Sequence, residues 1–264
     1  MTNTIHATAS VSNLAQLGDN NTIGAFVIID DDVVLANGNN IHARCSIKDG
    51  SRIGSNNTFH EGVIFSGDPQ DTSFKPCSTQ TILGDNNVLR EYVIIHRGSS
   101  SESSTQIGND NYLMNGVHLG HDCNLTNNII MAPYSALAGH VHVENNAFIS
   151  GGVMVHQFTA IGCYAMVGGN SKITQGVLPY MITDGVPGTV KGLNSIGLKR
   201  AGFSFSELKY IKTAYQILFK KTSNIEDYSL ETILIELQAI KSSNVEHLVN
   251  FIKSQKRGFH RLGK

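Results

Sequence analysis

Residues 107–173 read IGNDNY LMNGVH LGHDCN LTNNII MAPYSA LAGHVH VENNAF ISGGVM VHQFTA IGCYAM VGGNSK I. An aliphatic residue opens every hexad, from Ile107, Leu113 and Leu119 through Met131, Leu137 and Val143 to Ile161, Val167 and Ile173. The second position is often glycine, and the fifth is mostly small or β-branched, as at Val117, Cys123, Ser135, Ala147, Thr159 and Ala165. Two inward positions per six residues, four apart, match neither the 3.6-residue period of a helix nor the alternation of an amphipathic strand. They match a short strand followed by a corner. Three hexads close a triangular coil of 18 residues, and such coils stack as a parallel β-helix.

Outward from this stretch the repeat recurs at Ile5, Val11, Leu17, Ile23, Ile29, Leu35, Ile41, Ile47, Ile53, Phe59 and Phe65, and again at Leu83, Leu89 and Ile95. Asn, Asp and Gly near the corners, as in Asn20-Asn21, Asn56-Asn57 and Asn127-Asn128, tolerate left-handed backbone angles. Two segments break the pattern, Asp68 to Gln80 and Gly98 to Gln106. They predict loops near 68–80 and 98–106, and loops leaving a rigid solenoid commonly carry binding residues. After about Gly185 the period becomes helical. Ser204 with Glu207, Ser223 with Glu226, and Ser243 with Glu246 are candidate capping boxes ahead of amphipathic runs. The sequence thus predicts a mainly β chain: a β-helix over 1–186 and an α-helical domain over 187–264, which would cover the open last coil.

Composition fits this reading. Charged residues are only 16 %, while Gly contributes 26 residues and Asn 24. A hydrophobic share of 41 % and a net charge of −1 exclude a disordered chain. No apolar stretch approaches the roughly 20 residues of a membrane span. Residues Met1 to Thr4 show no signal-peptide pattern, and four separated cysteines suit a reducing compartment, so a cytoplasmic protein is expected. The near-neutral total hides a split. Residues 1–186 carry 7 basic and 15 acidic side chains, and residues 187–264 carry 13 and 6. A basic tail suits an acidic partner.

An 18-residue coil turns sequence distance into space, stacking equivalent residues about 4.8 Å apart. His121 then lies beneath Gly139 and Gly139 beneath Gln157. Asp122 lies beneath His140, and His118 sits just across a corner. His156 completes the patch. Histidine exchanges a proton near neutral pH, and a neighbouring carboxylate can orient it. A glycine stacked on the base lets a carbonyl oxygen reach a backbone N–H. Neither a serine nor a cysteine occupies a nucleophile motif, so direct attack by a substrate hydroxyl, with His121 as base, is the simplest scheme. His142 reads as surface polarity, and the column His6, His42, His60 as structural or oligomeric. His60 and His96 lie 36 residues apart, as zinc ligands two coils apart would, but a third ligand is missing. No metal centre and no nucleic-acid partner are expected.

These residues resemble the UDP-N-acetylglucosamine acyltransferases that begin lipid A biosynthesis. The resemblance is carried by Ile95-His96-Arg97-Gly98, His118-Leu119-Gly120-His121-Asp122-Cys123, Leu137-Ala138-Gly139-His140-Val141, His156-Gln157-Phe158, Met166-Val167-Gly168-Gly169 and Gly192-Leu193-Asn194. It spans nearly the whole chain. It implies a left-handed β-helix, a homotrimer with sites between subunits, and transfer of a 3-hydroxyacyl chain from acyl carrier protein to the 3-hydroxyl of UDP-N-acetylglucosamine. No cofactor is implied beyond the phosphopantetheine that carries the acyl chain. By match, His121 is the general base, Asp122 its orienting partner and Gly139 the oxyanion-hole donor. His118, His140, His156 and Gln157 resemble substrate contacts, and Asp71 and His96 sugar-nucleotide contacts. Gly169 resembles the position limiting acyl length, while Asn194 and Arg200 match nucleotide-binding positions. Lys199, Arg200, Lys209 and Lys212 are candidate contacts for the acidic carrier.

The chain departs from the family at Thr72-Ser73-Phe74-Lys75, at Ile196 and at Ala201. Altered nucleotide affinity or a 3-amino sugar acceptor would account for these. The N-acyltransferase of the same pathway normally carries an extra N-terminal domain, whereas here the hexads begin at Ile5. A small-molecule acetyltransferase lacks the Gly-Leu-Asn tail. A structural scaffold would favour a repeated flat threonine face, which is missing here.

Overall fold

The computed structural model describes residues 2–219 and 229–262. Strands of two to five residues form three faces of a triangular prism, in parallel sheets of 11, 9 and 8 strands; the first of these ends in an antiparallel pair. On the second face Leu119 pairs with Leu137, Leu137 with Val155 and Val155 with Ile173, the 18-residue step expected. First and fifth hexad positions fill the interior, from Ile23 and Val27 to Ile173 and Val177. The lowest coil is an exception: Ile5 is 45 % exposed, because no described coil lies below it.

The interior also holds a ladder absent from the expected small or β-branched set. Asn21, Asn39, Asn57, Asn87 and Asn111 occupy fifth positions and are fully buried. From Asn39 upward each Nδ2 donates to the Oδ1 of the asparagine one coil below, at 3.3 to 3.0 Å. Each Oδ1 also accepts the backbone N–H of the residue above, an asparagine in four cases and Ile129 above Asn111. Burial of so many amides is tolerable because every group is paired. Asn57→Ala severs the ladder and strands buried amide groups on both neighbours. It should lower stability by about 2–4 kcal/mol in urea unfolding; a loss below about 0.5 kcal/mol would show the ladder to be neutral.

The corners turn through left-handed backbone. Asn20, Asn56, Asn86, Asn128 and Asn146 all have φ near +60°, as expected. So do Tyr92 and Tyr134, for which the conformation is costly. Gly62 and Gly116, one coil below, make room for these rings: a Cβ there would come within 2.7 and 2.6 Å of them.

Both interruptions are loops at one corner. Each leaves the second face and enters the third: Ile64–Gly67 leads to Gln80–Leu83, and Ile94–His96 leads to Ser104–Ile107. Residues 104–106, expected in the second loop, belong instead to the returning strand. Leu83 pairs with Ile53 and Ile107, 30 and 24 residues away, so the insertions add twelve and six residues. Multiples of six preserve the phase. His60 and His96 consequently lie on different faces, which removes the two-coil zinc geometry.

Beyond the coil, Met181–Asp184 and Thr189–Leu193 pair antiparallel, so strand continues past residue 186. Among the described residues four helices follow: α1 (Ser195–Arg200), α2 (Phe205–Leu218), α3 (Leu230–Gln238) and α4 (Ser243–Ser254). Ser204 and Glu207 form the expected capping box. Ser243 does not: α4 is preceded by Ser242, whose side chain makes no capping bond. The Ser223–Glu226 pair lies outside the described residues. Leu198, Ile211, Leu237, Val245 and Leu248 build a second core over the top of the coil, against Leu178, Tyr180 and Met181.

Candidate active site

The loop-bearing corner is also the histidine corner. His118 lies on a strand of the second face, and the chain then turns through residues 120–123 into the third. Asp122 and His140 hold the corner in left-handed backbone at φ 59° and 58°, and the His140 N–H donates to the His121 carbonyl at 3.0 Å. Stacking therefore brings together His121, Asp122, Gly139, His140 and Gln157 as the coil arithmetic predicts. His156 and Gln157 are exposed at the upper edge.

The His121 Nδ1 lies 2.7 Å from Asp122 Oδ2. A carboxylate can only accept, so Nδ1 carries a proton, and the neutral tautomer of this ring has its lone pair on Nε2. Asp122 is nearly buried and well supplied with donors. Its Oδ2 accepts the Ser99 hydroxyl at 2.6 Å, and both oxygens accept the Ser99 N–H at 3.2 Å. Its own N–H donates to Thr105 Oγ1 at 2.8 Å. Burial would raise the carboxyl, but bonds from Ser99, His121 and Ser103 together outweigh it and hold it below the usual range.

Gly139 fits this ring closely. A Cβ there would meet His121 Cε1 at 2.5 Å and Nε2 at 2.6 Å. Among the described residues its N–H has no acceptor, so it remains available beside Nε2. The other histidines differ electrically. Burial and the neighbouring His96 push His118 down to about 4; their rings lie 5.0 Å apart. His96 is lowered too, chiefly by burial, and its Nδ1 contacts the Asp68 carbonyl. Both are neutral near pH 7 and are weak bases. Asp71, on the first loop, has its carboxylate bound by the Ser73 N–H and hydroxyl, each at 2.8 Å. Those bonds lower it, and His121 and His140 are close enough to add to the effect.

Three predicted residues stand apart from this patch within one chain. Gly169 lies at the corner between the first and second faces, above Gly151. A Cβ there would meet nothing nearer than 3.5 Å, so the coil does not demand glycine. Asn194 and Arg200 line a cavity of about 850 Å³ on the first face, with Ile130, Phe148 and Met166. Asn194 is already engaged, donating to the Tyr164 carbonyl at 2.9 Å and capping α1 through Gly197 N–H.

Sequence reading missed Ser99, Ser103 and Thr105, because insertions break the 18-residue count beneath Asp122. It also passed over Phe158, which stacks on His140 at 4.5 Å and 10°; the count from His140 does place it there. Asp122→Asn should slow turnover by about 10²-fold or more. An amide can turn its NH₂ toward Nδ1 and displace the ring proton to Nε2, removing the base. An unchanged steady-state rate would detach Asp122 from the chemistry.

A stacked-coil prism with a histidine–carboxylate pair and a free backbone N–H at one corner defines a hexapeptide-repeat acyltransferase. Residues 177–260 match the family described as UDP N-acetylglucosamine O-acyltransferase, domain 2. The acyl-[acyl-carrier-protein]–UDP-N-acetylglucosamine O-acyltransferase of Syntrophobacter fumaroxidans is 40 % identical over 256 residues, 96 % of this chain and 98 % of the relative. That of a Sulfurihydrogenibium species is 46 % identical over 255 residues, 96 % and 93 %. The crystal structure of the Bacteroides fragilis UDP-N-acetylglucosamine acyltransferase superposes with a TM-score of 0.93 at 36 % identity, over 97 % of this chain and all of that one. The chain belongs to the UDP-N-acetylglucosamine O-acyltransferase family, and its coil is the left-handed β-helix that the resemblance implies.

Proposed function

We propose that this protein transfers a 3-hydroxyacyl chain from acyl carrier protein to the 3-hydroxyl of UDP-N-acetylglucosamine, the first step of lipid A biosynthesis, with His121 as general base. The observation that carries this reading is the His121–Asp122 pair at 2.7 Å with its Nε2 against Gly139. The acceptor hydroxyl attacks the thioester carbonyl as Nε2 takes its proton. The Gly139 N–H stabilises the developing oxyanion, and Asp122 stabilises the imidazolium. Collapse expels the phosphopantetheine thiolate, which recovers the proton from His121. The products are the ester and the free thiol of the carrier.

Neutral His96 and His118 then act as hydrogen-bonding partners of the sugar nucleotide, with Asp71, His140, His156 and Gln157. His121, Asp122 and His140 could geometrically hold a metal ion. The reading assigns them to proton transfer because Asp122 Oδ2 already accepts from Ser99 and His121. Asn194 and Arg200 occupy a different corner from His121. A homotrimer would present the first face of one copy to the histidine corner of the next and complete the site, with Gly169 leaving room for a long chain. The basic tail, with exposed Lys199, Arg200 and Lys209, complements the acidic carrier. The reading places the enzyme in the cytoplasm; no described helix is long and apolar enough to cross a membrane.

The test is turnover with 3-hydroxyacyl carrier proteins of several lengths against UDP-N-acetylglucosamine and its 3-amino analogue, before and after chelation. Ester formation that survives chelation supports the reading. Amide formation alone would make the 3-amino sugar the acceptor, and loss on chelation would require a metal.

A further inference from the structure

A second cluster lies away from the histidine corner, where the helical cap meets the coil. Glu144 and Cys163 come from successive coils, and His247 comes from α4. One ligand atom from each lies within 4.8 Å of the others. The His247 Nε2 is 2.8 Å from Glu144 Oε2, which also accepts the Cys163 N–H at 2.8 Å. Glu144 and His247 are part-buried, with side chains 19 % and 38 % exposed, and Cys163 is intermediate. The groups line a cavity of about 480 Å³ that has no lysine or arginine in its wall.

We propose that Glu144, Cys163 and His247 form a zinc site that clips α4 to the β-helix. One thiolate and one carboxylate carry two negative charges, matching a divalent cation. Sulfur and imidazole ligands select zinc over magnesium or calcium. Tetrahedral zinc, with bonds of about 2.0–2.3 Å, needs ligand atoms roughly 3.3–3.8 Å apart, so small side-chain rotations suffice. On binding, two protons leave to solvent, one from the Cys163 thiol and one from His247 Nε2, where it bonds Glu144 in the free protein; the ring keeps its proton on Nδ1, and the freed Nε2 lone pair binds the metal. The Cys163 N–H keeps its hold on the carboxylate, orienting it as outer-shell donors do. The fourth position faces the cavity, where water completes the set.

Cobalt(II) is the probe, added to reduced, chelator-stripped full-length protein. The expected result is a thiolate-to-cobalt charge-transfer band at one equivalent, displaced by zinc. It should be lost in Cys163→Ser, kept in Cys77→Ser, and formed with at least tenfold weaker affinity in His247→Ala. Zinc should also raise the melting temperature of the wild type, and less so that of His247→Ala, while leaving turnover unchanged. Absence of the band in the wild type, its survival in Cys163→Ser, or unchanged affinity in His247→Ala would each overturn the clip. The wild-type measurement decides even if a variant misfolds. None of these readouts depends on the role of His121.

Discussion

His121→Ala should slow turnover by about 10³-fold, within the range of about 10²–10⁴ for a lost general base, with little change in fold. The side chain is only 14 % exposed, yet its partners remain satisfied without it: Asp122 keeps the Ser99 hydroxyl and N–H. The coil is held by backbone bonds, including His140 N–H to residue 121 O, which alanine preserves. No other histidine in the patch replaces the base easily. His118, lowered to about 4, binds a proton too weakly, and His140 Nε2 lies 3.5 Å from Asp122 Oδ2, too far for the same short bond. Steady-state turnover, with circular dichroism as control, checks this. Activity within about tenfold of wild type would remove His121 from the proton transfer.

Gly139→Ala is the second large effect, and it isolates geometry from chemistry. The added Cβ would meet the His121 imidazole at 2.5–2.6 Å, its nearest atoms being Cε1 and Nε2. The ring must swing away, breaking its alignment with Asp122, with the acceptor and with the Gly139 N–H. A misplacement of about 1 Å can cost about 10²-fold in rate, and turnover should slow by about 10²–10³-fold in this variant. The His121 and Asp122 side chains remain present, so binding of the sugar nucleotide should change far less than the rate. The backbone at 139 lies outside the left-handed region, so folding tolerates alanine. A fully active alanine variant would show that the ring does not need this position during turnover.

Much of the fold was legible because a hexapeptide coil writes three dimensions into one. Every inward residue from Ile107 to Ile173 recurs at a fixed interval, so register follows from counting. The same count stacked His121, Gly139 and Gln157. Counting failed where chain was inserted. Ser99, which anchors Asp122, sits in a loop whose length hides its height in the stack. The asparagine ladder escaped because an amide in a core looks wrong until its partner one coil away is known. The Ser243 capping box failed because the helix already begins at Ser243, which makes that residue its first helical position and leaves Ser242 as the cap.

By itself the sequence determined the coil, the helical cap, the family resemblance and the column of residues bearing His121. Those depend on periodicity and local motif, which are properties of the chain alone. Only the tertiary structure decided that both insertions emerge at the histidine corner, that the His121 ring leaves no room for a Cβ at residue 139, and that Asn194 and Arg200 belong to another corner. It alone joined Glu144 and Cys163 to His247, more than eighty residues away. Those are distances between segments whose separation along the chain carries no fixed relation to their separation in space.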